Sequence, residues 1–278
     1  MIRFEHVSFG YPNGETTIED LSFHIQKGDF VALIGANGAG KSTISRLCNG
    51  LLRPLSGHVY LDGQDTLITP TSQLAKKAGF LFQNPDRQIC ENTVEAEIAF
   101  SMKVQGWPAD KIRERVAAAL ETFDLQGDWF PFNRSRGERQ RIALAGVLAC
   151  EPELLILDEP TTGLDYLECI RIMDHIKMLN LEKKITVLMV SHDMELVQDY
   201  AGRVLVLSGG KLLGDGPVKE IMKNEPLLRQ ARVLPAQIPS LALAFGDRFA
   251  DVFTIREMYE AICREKGRGI CRAGREKE

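Results

Sequence analysis

The segment Gly35-Ala36-Asn37-Gly38-Ala39-Gly40-Lys41-Ser42 fits G-x-x-x-x-G-K-[ST] and follows directly on the apolar run Phe30-Val31-Ala32-Leu33-Ile34. The run reads as a buried strand, and Lys41 to Cys48 as a helix whose first turn offers unpaired N–H groups. A phosphate chain is the natural occupant of that junction, because backbone N–H groups and the helix dipole both favour an anion there. The glycines let the backbone wrap closely around the phosphates. Lys41 is placed to reach the β and γ oxygens, Ser42 to ligate Mg²⁺, and Thr43 to continue the contact into the helix. The chain is therefore expected to handle ATP or GTP.

The rest of the pattern is what such a loop needs around it. Strands are predicted near 2–8, 20–26, 29–34 and 57–61, with turns at Tyr11-Pro12-Asn13-Gly14 and Leu61-Asp62-Gly63. From about Val94 to Leu148 the pattern is helical, and Ile112, Val116, Ala119, Leu120 and Phe123 recur at the spacing of one helix face. Strand character returns at Leu154–Leu157, Thr186–Val190 and Arg203–Leu207, interleaved with helical stretches, which implies a parallel sheet covered by helices. After Glu225 come Pro226, Pro235 and Pro239 and a charged end from Arg264 to Glu278, read as a small helical appendage and a frayed tail.

Composition excludes more than it selects. With 278 residues, 44% hydrophobic and 26% charged, the chain has enough apolar surface for a large core. A net charge of −4 and a pI near 5.8 give no global basic footprint, so no nucleic-acid partner is expected. Cys48, Cys90, Cys150, Cys169, Cys263 and Cys271 lack metal spacing, and no signal peptide is read at Met1-Ile2-Arg3-Phe4, which points to reduced thiols in the cytosol. No run approaches the ~20 apolar residues of a membrane span, so any membrane role is expected to be peripheral.

A second constellation sits at Leu154-Leu155-Ile156-Leu157-Asp158-Glu159, a buried strand ending in two carboxylates. Asp158 is placed to hold the metal through its water shell, and Glu159, one residue further, to polarise the water that attacks the γ-phosphate.

With these two motifs in place, the chain resembles the ATP-binding cassette (ABC) family, whose remaining landmarks follow in order. Gln83 in Phe82-Gln83-Asn84-Pro85-Asp86 matches the glutamine loop, Ser135-Arg136-Gly137-Glu138 the signature loop, Thr161 to Asp165 the D-loop, and Ser191-His192-Asp193 the switch histidine. Tyr11 lies where the family places a ring against adenine, although a Tyr-Pro turn also has a packing explanation. The resemblance covers roughly residues 2–220 and implies an α/β P-loop NTPase fold of the ABC ATPase type: a mixed sheet core, a helical subdomain and a small C-terminal appendage. The implied division is a nucleotide-binding domain over 1–224, with its helical insert at about 93–150, and an appendage over 225–278. It also implies that Gln83 senses Mg²⁺ and the attacking water, and that His192 holds that water and Glu159 in line with the γ-phosphate. Adjacent on one backbone, Ser191, His192 and Asp193 cannot form a hydrolase triad.

In the family the signature loop completes the ATP site of a second subunit, so Ser135 and the Gly137 amide are expected to face a partner's nucleotide, with Asp165 of the D-loop beside them. The usual family pattern is Leu-Ser-Gly-Gly-Gln. Here Arg134 replaces an apolar anchor and Arg136 a glycine, while Glu138 is a common variant. Arg136 has two readings: an added positive charge beside the nucleotide, or bulk and lost φ freedom that impair closure. The second is favoured, which makes the expected partner a non-identical paralogue with an intact signature.

The segments Phe82 to Ile89 and Thr93 to Phe100, and the extension past 225, look like the energy-coupling-factor (ECF) transporters for vitamins and transition metals. In that group the extension helps the two ATPases dimerise; a simple packing appendage is the alternative. The resemblance implies a peripheral ATPase at the cytoplasmic face of the cell membrane, acting on a transmembrane coupling protein while a separate membrane protein captures the solute. Two alternatives stay open: a soluble cassette ATPase acting on a ribosomal or nucleic-acid machine, and an ATP-binding regulatory subunit with weak turnover.

Overall fold

The computed structural model describes residues 1–12, 16–246, 249 and 251–265. The turn predicted at residues 11–14 therefore lies partly outside the described residues, as do Cys271 and the predicted tail from 266 onward. Strands β1 (Ile2–Gly10), β2 (Thr16–Ile25), β4 (Ser56–Leu61) and β5 (Gln64–Asp65) form an antiparallel sheet ordered β2-β1-β4-β5. The second sheet is ordered β10-β9-β3-β8-β7-β6, built from β3 (Phe30–Gly35), β6 (Ala78–Leu81), β7 (Leu154–Asp158), β8 (Thr186–Val190), β9 (Arg203–Ser208) and β10 (Lys211–Pro217). The four pairings from β9 to β6 are parallel, and β10 closes one edge antiparallel, so the sheet is mixed as expected.

The central strands are apolar throughout because both of their faces are covered, and each face belongs to a different core. Val31, Leu33, Ile156, Leu188 and Leu205 turn toward the antiparallel sheet and helix α1 (Lys41–Cys48). Ala32, Ile34, Leu157, Met189 and Val206, one step along the same strands, turn toward the helices on the other side. Fully burying each such aliphatic side chain stabilises the fold by roughly 1.5–3 kcal/mol.

The helical block resolves into α3 (Val94–Val104), α4 (Ala109–Thr122) and α5 (Arg136–Ala149), with the short α2 (Thr71–Leu74) before it. Thr93 caps α3 by accepting from the Ala96 N–H at 3.2 Å, and Pro108 precedes α4, where its missing donor costs nothing. Of the predicted stripe, Ile112, Val116, Ala119 and Phe123 are buried in the main core and Leu120 packs against it. Strands β6 and β10 were not predicted, and glycine is the reason in both. Gly79 in β6 breaks the apolar run because α5 lies directly on it: a Cβ there would meet Val147 Cγ1 at 2.5 Å.

Beyond β10, α8 (Val218–Lys223) and α9 (Glu225–Gln230) return to the main core through Ile221, Met222 and Leu228. Helices α10 (Gln237–Phe245) and α11 (Ile255–Glu265) enclose a small cluster of their own around Ala242, Phe249, Val252 and Met258.

Candidate functional site

Parallel pairing in register puts the C-terminal ends of β3, β7 and β8 side by side, with Asp158 opposite Val190 and Leu33 opposite Val190. The loops leaving those ends are the glycine loop, the segment after Asp158 and the segment starting at Ser191. Ligands of open parallel sheets bind at this edge for that topological reason. A cavity of about 680 Å³ opens there, lined by Tyr11, Asn37, Lys41, Ser42, Gln83, Glu159 and His192 among others.

The glycine loop is shaped by what a side chain would hit. Gly40, at φ 102°, caps α1, and a Cβ on it would meet Ile18 Cδ1 at 2.6 Å. Gly38, at φ 81°, has nothing within 4 Å on its Cβ side and leaves the loop open. Lys41 is 8% exposed, and its Nζ donates to the carbonyls of Gly35 at 2.8 Å and Ala36 at 2.9 Å, within the loop it serves. Burial holds its ammonium below the ordinary lysine range, against the pull of Glu159 and Asp158.

Ser42 donates to Asp158 Oδ1 at 3.2 Å. Asp158 is 4% exposed, and burial pushes its carboxyl above the usual range, with the Ser42 hydrogen bond working the other way. A hydroxyl and a buried carboxylate in contact are a hard-oxygen pair suited to Mg²⁺. Among the described residues no group of three or more His, Cys, Asp or Glu side chains is placed to hold a metal. An ion between Ser42 and Asp158 therefore has to complete its shell from phosphate oxygens and water, as Mg²⁺ does beside a nucleotide.

Glu159 has φ 53°, a conformation that a side-chain-bearing residue keeps only when its surroundings impose it. Here its N–H donates to the Val190 carbonyl at 3.0 Å, and its carboxylate is gripped on both oxygens. Gln83 Nε2 donates to Oε2 at 2.7 Å, Thr162 Oγ1 to the same oxygen at 3.4 Å, and His192 Nδ1 lies 3.2 Å from Oε1. Three predicted residues from three loops thus meet at one carboxylate. Ser191 and Asp193 are occupied locally: Ser191 Oγ accepts from the Asp193 N–H at 3.0 Å, and Asp193 Oδ1 caps α7 (Met194–Tyr200). Tyr11 lines the cavity, its hydroxyl 3.3 Å from Thr43 Oγ1 and its ring against the edge of Phe9, a packing role whatever the cavity holds.

The signature segment lies outside this cavity. Ser135 and Glu138 form a reciprocal capping box on α5, the serine Oγ accepting from the Glu138 N–H at 3.2 Å and the glutamate from the Ser135 N–H at 2.8 Å. That S-x-x-E pattern was legible in the sequence and gives Glu138 a local role the motif match did not assign. Arg136 is the first residue of α5 with negative φ, so the predicted loss of φ freedom does not arise; bulk and charge are what distinguish it from glycine. Asp165 likewise caps α6 (Tyr166–Lys183), accepting from the Glu168 N–H at 2.8 Å.

Motif matching passed over several residues that build the site. Thr17 and Val190 line the cavity from β2 and β8, a long-range placement with no local signal. Gln140, fully buried in α5, donates to the Pro160 carbonyl at 3.2 Å and ties the signature helix to the segment after Glu159. Glu97, 8% exposed, accepts the N–H groups of Cys90 and Glu91, each at 2.9 Å. A carboxylate among the apolar positions of α3 was the available signal for that last one.

Residues 18–162 match the ABC transporter family. The energy-coupling factor transporter ATP-binding protein EcfA1 of Caldanaerobacter subterraneus is 39% identical over 275 residues, covering 95% of this chain and 99% of that relative. Other curated ABC transporter ATP-binding proteins are longer, and the chain spans 44% and 40% of two of them. Among solved structures, cbiO1 of Clostridium perfringens, described as part of the ABC transporter complex cbiONQ, superposes with a TM-score of 0.73 at 30% identity, covering 88% of this chain and 98% of that one. An ATP-binding cassette solved as a dimer in a post-hydrolysis state with ADP and Pi has a TM-score of 0.72 at 28% identity, over 78% of this chain and 99% of its own.

Proposed function

The chain belongs to the ABC transporter family, and we propose that it is the ATP-hydrolysing subunit of an ECF-type importer for vitamins or transition-metal ions. The observation that carries the hydrolytic part is the meeting of Gln83, His192 and Glu159 at the mouth of the glycine loop. Lys41 and the amides of residues 36–42 bind the β and γ phosphates. Glu159, oriented by Gln83 and His192, accepts a hydrogen bond from the attacking water and draws its proton as the water oxygen bonds to the γ-phosphorus and the bond from that phosphorus to the β–γ bridging oxygen breaks, releasing ADP. His192 steadies the γ-phosphate oxygens and keeps Glu159 from swinging away. Ser42 and Asp158 would hold Mg²⁺, which would supply positive charge to offset that of the phosphates.

The ECF assignment is supported by the near-complete coverage of EcfA1 and by the Phe82 to Ile89 segment. No helix among the described residues is long and apolar enough to cross a membrane. On the ECF reading the chain acts peripherally at the cytoplasmic face, paired with a second, non-identical ATPase. A transmembrane coupling protein engages near Gln83, and a separate membrane protein captures the solute. Helices α10 and α11 contribute to the pairing of the two ATPases.

Substituting Glu159→Gln preserves the hydrogen bond from Gln83 and removes the base. ATP binding stays within about twofold and multiple-turnover hydrolysis falls at least 10²-fold, the usual scale for removing a general base. Phosphate release at the parental rate in that variant contradicts the assignment.

A further inference from the structure

Beside the nucleotide cavity lies a second cavity of about 450 Å³ whose walls include Arg46, Arg87, Arg136, Asp86 and Asp158. It shares Gln83 with the nucleotide cavity and reaches Asp158, the group that Ser42 contacts. The three arginines come from unconnected parts of the chain: Arg46 from the last turn of α1, Arg87 from the glutamine loop, and Arg136 from the start of α5.

Their charge is only partly answered by the protein. Among the described residues, none of the three makes an ion pair or a side-chain hydrogen bond. Asp86 is already paired with Arg139 Nε at 2.7 Å, and Asp158, which attracts Arg46 across the cavity, is held by Ser42. Three arginines therefore line this cavity against one carboxylate, Asp158, that is not already ion-paired. Arg136 is kept at this wall by its stem, which lies over Gly163: a Cβ there would meet Arg136 Cδ at 3.0 Å and Cγ at 3.1 Å. Converging cations without partners repel one another, and an anion relieves that cost. Planar guanidinium forks match the oxygens of a tetrahedral oxyanion, and more than one fork engages the same ion from different sides.

Resting on the reading of the chain as an ATPase, we propose that this cavity is a site for inorganic phosphate, receiving the product of hydrolysis past Gln83, with Arg46, Arg87 and Arg136 as its ligands. The glycine of the usual signature removes one of the three charges, so the departure at 136 completes the site.

The test is a ³¹P NMR titration of inorganic phosphate into the full chain, run once saturated with ADP and once as the nucleotide-free Lys41→Ala variant, which weakens the competing phosphate loop. Saturable binding is expected in both, weakened about tenfold by Arg87→Gln and by Arg136→Gly, the scale of one charge-assisted contact. Arg87→Lys is expected to recover part of the loss, and ADP affinity in the same samples reports intact folding. Binding indifferent to the arginine substitutions, binding abolished by Lys41→Ala, or no saturable binding overturns the proposal. Failure of the parental chain to bind ADP removes the ATPase reading instead, while the Lys41→Ala titration still decides the phosphate site.

Discussion

Asp158 is the residue at which stability and activity pull in opposite directions. Its carboxyl is raised by burial, so the folded protein holds that proton more tightly than the unfolded chain does. The sign follows from linkage: stability is lost as pH rises from the ordinary carboxylate value through the raised folded value, and no more is lost above it. Asp158→Asn keeps an acceptor for the Ser42 hydroxyl while removing the buried charge. In the absence of nucleotide and metal it is expected to melt above the parental chain at pH 7, by roughly 2–4 °C for each kcal/mol recovered. The difference shrinks as pH falls through the raised value. Thermal melts across pH 4 to 8 check this, and hydrolysis is expected to be lost in the same variant because it lacks the carboxylate that would hold Mg²⁺. A variant that melts lower at pH 7 refutes the account.

At the scale of elements, the glutamine loop is joined to the helical block by Glu97. One carboxylate oxygen of α3 accepts the N–H groups of Cys90 and Glu91, so a shift of the chain around Gln83 is passed to α3 rather than absorbed by a slack loop. Glu97→Ala leaves two amides without an acceptor and costs about 1–3 kcal/mol. Thermal denaturation reads that loss, and amide exchange at Cys90 and Glu91 shows faster opening while β3 and β8 keep their protection. Unchanged exchange at those two amides removes Glu97 from the linkage. The elements also divide by legibility. The central strands β3, β7, β8 and β9 were readable because burial on both faces demands continuous apolar runs, and α4 because its buried face repeats at helical spacing. Strands β6 and β10 were not: Gly79 answers to the packing of Val147, far away in the sequence, and in β10 Gly214 gives way to Leu227 of the following helices while Gly216 breaks the apolar pattern again.

On the scale of the whole molecule, the signature segment Ser135 to Glu138 lies outside the cavity that holds Lys41, Gln83, Glu159 and His192. Arg136 occupies a position of ordinary backbone, so its effect on pairing comes from bulk and charge. Arg136→Gly is expected to raise the ATPase rate of the isolated chain several-fold and to narrow its dependence on a paralogous partner, with ATP affinity unchanged. Steady-state hydrolysis with and without that partner measures it; an unchanged rate for the chain alone overturns the proposed preference for a non-identical subunit. The sequence by itself determined the phosphate loop, the carboxylate pair after β7 and the order of the family motifs. Those depend on contiguous residues whose chemistry is set by local backbone geometry. Only the tertiary structure decided that Gln83 and His192 meet on Glu159 and that Arg46, Arg87 and Arg136 line one cavity. Those contacts join segments tens of residues apart, and sheet register, strand order and the packing of α5 on β6 bring them together.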